Sequence, residues 1–75
     1  MTPRQSPTPS PVRERRTLVR LTQAELASRV NVSRQTIIAI EQGDYAPSVY
    51  LALRIARALE GTVEQLFTDD TGDDR

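Results

Sequence analysis

Cysteine, histidine, lysine and tryptophan are absent from these 75 residues, and the aromatic set is two tyrosines and one phenylalanine. Without cysteine or histidine there is no disulfide, no thiol chemistry, no imidazole acid–base catalysis and none of the common zinc sites. Long apolar runs are missing too. Arg54 and Arg57 interrupt the most apolar segment, and no N-terminal stretch has the pattern of a secretion signal, so neither a membrane span nor a membrane partner is expected. A cytoplasmic location follows as the expectation. The carboxylates are scattered or gathered in the last eight residues, with no constellation suited to nucleophilic, metal or acid–base chemistry. An enzyme is therefore not expected, nor a cofactor, nor a small-molecule ligand.

What is present is unevenly placed. Residues 1–11, MTPRQSPTPSP, hold four of the five prolines and read as a disordered tail. Residues 68–75, TDDTGDDR, hold four aspartates and read as a solvated acidic tail. Residues 12–67 between them are the single folded domain, near the lower size limit for independent stability, so dimerisation is a reasonable expectation before any motif is read. The formal net charge of zero conceals a dipole. Residues 1–40 carry seven arginines against two glutamates, and residues 41–75 carry three arginines against eight acids. A basic half of this kind can guide a protein to phosphate while the acidic half faces away.

No strand-like alternation occurs, and punctuation marks five helices. The first spans Val12 to about Arg20 and is mostly arginine. Thr22 and Glu25 form a capping box that opens a second helix through Val30, with Leu26 and Val30 on its buried face. Asn31 and Val32 make the break, asparagine being one of the few residues that tolerate a left-handed backbone. Ser33 caps the third helix and Gly43 ends it. After a loop from Asp44 to Pro47, Ser48 caps a fourth helix running to Leu59. That helix has a core stripe of Val49, Ala52, Leu53, Ala56 and Leu59, with Ile55 at its edge and Leu51 and Ala58 outside it. Gly61 ends the fourth helix, and Thr62 with Gln65 makes a second capping box for a short turn, Val63 to Phe67.

Two short helices joined by a tight turn form a helix-turn-helix, and Gln23 to Gln42, QAELASRVNVSRQTIIAIEQ, fits that unit. Ala27 is small where the helices cross, and Val32, Ile37 and Ile40 supply the contacts that fix their angle. The outward face of the third helix then presents Arg34, Gln35, Ile38, Ala39 and Gln42. Amides, methyl groups and one arginine are what reading base edges requires, because a fully charged face would read phosphate alone.

The stretch LTQAELASRVNVSRQTIIAIEQGDYAPSVYLALRIARALEGTVEQLF resembles the phage-repressor-like helix-turn-helix family, also called the xenobiotic-response-element family. The nearest likeness is to small stand-alone bacterial regulators carrying SRQTI-x-x-IE-x-G-x-Y-x-PS. The resemblance covers Val12 to Phe67. It implies an all-α, five-helix, lambda-repressor-like domain that binds double-stranded DNA as a homodimer with its third helix in the major groove. Arg34 is then placed to pair with guanine and Gln35 with adenine, while Thr36 reaches a phosphate or a base. Ile38 and Ala39 are placed for thymine methyls, Ile38 reading equally well as a tolerated surface residue. Gln23 matches the family position that meets a phosphate, and Gln42 and Tyr45 are further phosphate candidates. Ser33 is foremost a cap. Tyr45 and Tyr50 can alternatively cover the loop over Pro47. Glu41 reads as structural, pairing with Arg29 or capping nearby amides.

Two departures from the family concern the first helix. Arg20 stands where glycine is frequent, and Arg15 where leucine is usual; both add positive charge near the expected DNA side. The expected function is a sequence-specific transcriptional regulator, a repressor by preference, acting as a homodimer on a palindrome. Its expected interface is Leu59, Val63, Leu66 and Phe67. The alternatives are an antitoxin of a toxin–antitoxin pair, or a protein-interaction module that kept the fold.

Overall fold

Every helix among the described residues begins at a hydroxyl. In the computed structural model, which describes residues 10–67, the elements are α1 (Pro11–Leu18), α2 (Gln23–Val30), α3 (Arg34–Gln42), α4 (Val49–Ala58) and α5 (Val63–Phe67). The side-chain oxygens of Ser10, Thr22, Ser33, Ser48 and Thr62 accept from the backbone N–H three residues on, at 3.0, 3.0, 3.2, 3.1 and 3.1 Å. Each bond satisfies a donor that a helix start leaves orphaned. Both expected capping boxes close, Glu25 reaching back to Thr22 N–H at 2.8 Å and Gln65 to Thr62 N–H at 3.0 Å. The backbone and side chain of Thr22, assisted by Arg29, hold the Glu25 carboxyl below the ordinary carboxylate range. The expected tails concern residues 1–9 and 68–75, which lie outside the described residues. Ser10 and Pro11, expected in the N-terminal tail, instead cap and open α1, with proline at a first-turn position where its missing N–H costs nothing.

The first four helices share one ending. After each, a residue in the left-handed region lets its own N–H and that of the residue following it turn back onto the last carbonyls. The outer bonds are Leu21 N–H to Arg16, Val32 to Ala27, Asp44 to Ala39 and Gly61 to Ala56, at 3.0, 3.0, 2.9 and 2.9 Å. The left-handed residues are Arg20, Asn31, Gly43 and Glu60. Asn31 and Gly43 are the stops expected from sequence. At the end of α4 the expectation shifts by one: Glu60 takes φ 59°, not Gly61. Gly61 is small for a different reason, since a Cβ there would stand 3.2 Å from the Gln65 Oε1 that caps α5.

α2 lies against α3 and α4, α1 against α3 and α5, and α4 against α5. The enclosed centre is Leu26, Val30, Ile37, Ile55 and Leu59, closed by Val12 from α1 and Leu66 from α5. The stripe expected on α4 is corrected. Leu51, Ala52, Ile55, Ala56 and Leu59 face the core, whereas Val49 is 71 % exposed and Leu53 42 %. Ala58, also placed outside the stripe, is partly buried against the core. Ala52, Ala56 and Leu59 belong to both candidate arcs, so helical periodicity fits either. The observed arc seats Leu51 and Ile55, the larger apolar pair, and leaves Leu53 outward beside Arg57.

α1 is attached largely by arginine. Val12 is its one buried residue. Arg15, in the place where leucine is usual, donates from Nε to the Leu59 carbonyl and from Nη2 to the Glu60 carbonyl, each at 2.7 Å. It therefore closes the C-terminus of α4 and does not serve the expected DNA side. Arg20 and Glu60 both sit in a backbone region disfavoured for residues bearing a Cβ. Arg20→Gly is expected to raise unfolding free energy by about 0.5–1 kcal/mol, the relief of that strain exceeding the entropy cost of glycine. Asn31→Gly is expected to change it by no more than a few tenths, about the cost of a neutral surface substitution. Urea titration of the two variants checks the difference.

Candidate nucleic-acid interface

α3 divides its surface sharply. At about 100° per residue, Arg34, Ile38, Gln42, Gln35 and Ala39 follow one another around an outward arc. Ile37 and Ile40 occupy the opposite side, where they are 0 % and 6 % exposed. Arg34, Gln35 and Gln42 are exposed, and Thr36, Ile38 and Ala39 are half-buried. The first turn contains no acid. The cap is doubly tied, for Ser33 Oγ both accepts from Thr36 N–H and lies 3.1 Å from Thr36 Oγ1. Those two hydroxyls thus have work within the helix start, and the arc of amides, methyls and Arg34 is what the fold leaves open. Tyr45, 49 % exposed, stands beyond the end of α3. With Pro47, Val49 and Phe67 it helps line a groove of about 880 Å³. Tyr50 is 75 % exposed and covers little.

The orientation of α3 is set by a charged cluster. Glu41 Oε2 accepts from Arg16 Nε at 2.6 Å, and Glu41 Oε1 accepts from Arg16 Nη2 at 3.2 Å and from Gln23 Nε2 at 3.0 Å. Arg16 Nη1 donates to the Leu21 carbonyl at 2.9 Å. The pair is largely withdrawn from water, with side-chain exposures of 12 % for Arg16 and 4 % for Glu41. One carboxylate of α3 therefore joins α1 and α2 to it. The structural reading of Glu41 holds, but its partner is corrected: Arg16, not Arg29. Arg29 lies instead beside Arg54 and Arg57 around a shallow cleft. Arg16 was not expected to matter. The available signal was Glu41 itself, an acid adjoining Ile37 on the inward side of α3, where an unpaired charge is prohibitively costly.

The bond to Glu41 also fixes the Gln23 amide. Its nitrogen donates one hydrogen to Glu41, and one amide hydrogen is left for a second acceptor. The expected dimer surface is reduced. Leu59 is 0 % and Leu66 4 % exposed within the single chain, so neither has area left to bury against a partner. Val63 and Phe67 are half-buried against the core. Among the described residues no group of three or more acids comes together as a metal ion would need, and no helix is long and apolar enough to cross a membrane.

Comparison with known proteins agrees with this architecture. The pattern of the helix-turn-helix family matches residues 12–66. A protein of Methanothermobacter thermautotrophicus, named as an uncharacterized HTH-type transcriptional regulator, is 57 % identical over 60 residues, covering 79 % of this chain and 87 % of its own. A protein of Archaeoglobus fulgidus with the same name is 46 % identical over 59 residues, covering 79 % of this chain and 84 % of its own. The Bacillus subtilis protein YgzD, likewise named, is 45 % identical over 56 residues, with 75 % and 85 % covered.

A buried pair that joins three helices is costly to break from one side. Glu41→Ala is expected to lower unfolding free energy by about 3–5 kcal/mol, because Arg16 is left buried without a counter-charge. Arg16→Met, which removes only the cation, is expected to be comparably harmful, and the double replacement by two apolar residues much less so. Denaturant titration of the cycle measures the coupling directly.

Proposed function

The chain belongs to the helix-turn-helix family, and from that premise we propose that it is a DNA-binding transcriptional regulator that reads double-stranded DNA through α3. The observation that carries this reading is the outward arc of α3. It combines an exposed arginine, two exposed amides and two methyl-bearing side chains, with no acid among them, on a helix whose other side is pinned by Ile37, Ile40 and Glu41. Arg34 and Gln35 contact bases in the major groove, with Ala39 and Ile38 against thymine methyls. Gln23, Ser33, Thr36, Gln42 and Tyr45 hold the phosphates that flank them. The Gln23 amide, already oriented by Glu41, donates its second hydrogen to the backbone of the duplex.

The regulator acts as a repressor, α3 occupying the major groove of its site and denying that stretch of duplex to other proteins. It acts as a homodimer on a palindrome, since one recognition helix spans too few base pairs for selectivity and half-sites recur at about one helical turn, roughly 34 Å. Val63 and Phe67 are the part of the expected interface that still presents surface. Phe67→Ala is expected to shift sedimentation towards monomer and to weaken binding to a palindrome while helical content is kept. Unfolding at every concentration would make Phe67 a core residue and move the interface elsewhere.

Selection of bound duplexes from a random pool tests the proposal and yields the operator at once. Affinity for the selected site is expected to fall steeply with salt, because each neutralised phosphate releases counterions. Arg34→Ala is expected to cost about 1–3 kcal/mol and to relax preference at one base pair per half-site. A loss equal across all sequences would assign Arg34 to phosphate, and a salt-independent affinity would sink the reading.

A further inference from the structure

Arginine is a poor choice of residue for the turn at position 20. It stands at φ 66°, in the left-handed region that glycine enters freely and a residue bearing a Cβ does not. The turn itself needs no side chain, for it is closed by Arg20 N–H to the Thr17 carbonyl and Leu21 N–H to Arg16, each at 3.0 Å. Nor does the fold use the guanidinium. Arg20 is exposed, and its side chain makes no hydrogen bond or ion pair among the described residues. The acids of the adjoining cluster and cap are engaged by others, Glu41 by Arg16 and Gln23, and Glu25 by the Thr22 N–H. Glu60 carries the same strain at φ 59°, so strain alone assigns nothing. What sets Arg20 apart is its charge and its place.

The place is fixed from within the fold. Arg16 Nη1 donates to the Leu21 carbonyl at 2.9 Å, which ties the residue after Arg20 to the cluster of Arg16, Glu41 and Gln23. Gln23 opens α2 with one amide hydrogen left over. Arg20 and Gln23 are three residues apart, so their Cα atoms are separated by at most about 11 Å. Each strand of a duplex presents a phosphate about every 3.4 Å along the axis. A strand that meets Gln23 therefore offers neighbouring phosphates over the span that Arg20 covers. A permanent charge and a planar fork of donors suit a guanidinium to them. Arg15 and Arg16 are bound within the fold, and Arg20 is not.

We propose that Arg20 is a phosphate contact that widens the duplex-binding surface from α3 and Gln23 onto the turn between α1 and α2. This rests on the reading of α3 as the element that meets the duplex. Glycine at this position makes the better turn and supplies no charge; arginine strains the turn and supplies a cation to one strand. Arg20 adds affinity without adding base preference.

The probe is a labelled duplex of the selected sequence, titrated with the full chain between about 50 and 200 mM salt. Arg20→Asn keeps a residue that tolerates the left-handed backbone and removes the charge. It is expected to weaken binding, per bound chain, roughly fifteenfold at about 50 mM and roughly fourfold at about 200 mM, with the salt slope lowered by about 0.9. Base preference is expected to stay as in the wild type. Arg20→Gly is expected to bind as weakly while its thermal midpoint rises, which separates contact from folding, and Arg20→Lys to keep most of the affinity. Neutral methylphosphonates placed at each backbone position in turn locate the contact: one position weakens the wild type and leaves Arg20→Asn unaffected. Unchanged salt slopes in Arg20→Asn and Arg20→Gly, a loss confined to certain sequences, or the lack of such a position overturns the proposal, while Arg34→Ala still tests α3 on its own. Wild-type affinity that ignores salt overturns both readings.

Discussion

The position of the outward arc of α3 rests on one carboxylate. Glu41 sits on the flank of α3 between Ile37 and Arg34, with its side chain nearly closed to water, and both of its oxygens are engaged, by a guanidinium from α1 and an amide from α2. Hydrophobic contacts alone would hold α3 against α2 while leaving it some freedom to slide or roll, since Ile37 and Ile40 meet their neighbours without direction. The charged bonds have direction. They fix the roll of α3 about its axis, and with it the bearing of every residue on the outward arc. They also prepare Gln23 at the start of α2, so the two ends of the helix-turn-helix are registered against the same atoms.

α1 owes its place to this arrangement. A helix with a single buried apolar residue has little hydrophobic reason to dock. It docks because Arg16 enters the cluster behind α3 and Arg15 closes the carbonyls at the end of α4. Both attachments join elements far apart in sequence. They explain how a helix made mostly of arginine is part of the core assembly and not an appendage.

Features set within three or four residues could be read from the sequence, and features set by tertiary neighbours could not. The caps at Thr22, Ser33, Ser48 and Thr62 were legible because a hydroxyl and the N–H that it satisfies lie in the same short stretch. The left-handed stops at Asn31 and Gly43 were legible because few residue types tolerate that backbone. Glu60 was hidden, since nothing local recommends glutamate over the adjacent glycine. The rotation of α4 was hidden because two arcs share three residues, and only the volumes of Leu51 and Ile55 against the neighbouring helices decide between them. Within the candidate site, the outward arc of α3 followed from periodicity. The Arg16–Glu41 bond joins residues 25 positions apart, and no spacing rule reaches across that gap.

The framing of α3 has an evolutionary corollary. Of its nine residues, the fold engages the side chains of Ile37 and Ile40 in the core and of Glu41 in the ion pair, while Ser33 and Gly43 fix its ends from outside. Arg34, Gln35 and Gln42 are exposed and carry none of that burden. A descendant can therefore exchange them and still fold, so the chemistry of this face can change by point substitution without passing through an unstable intermediate.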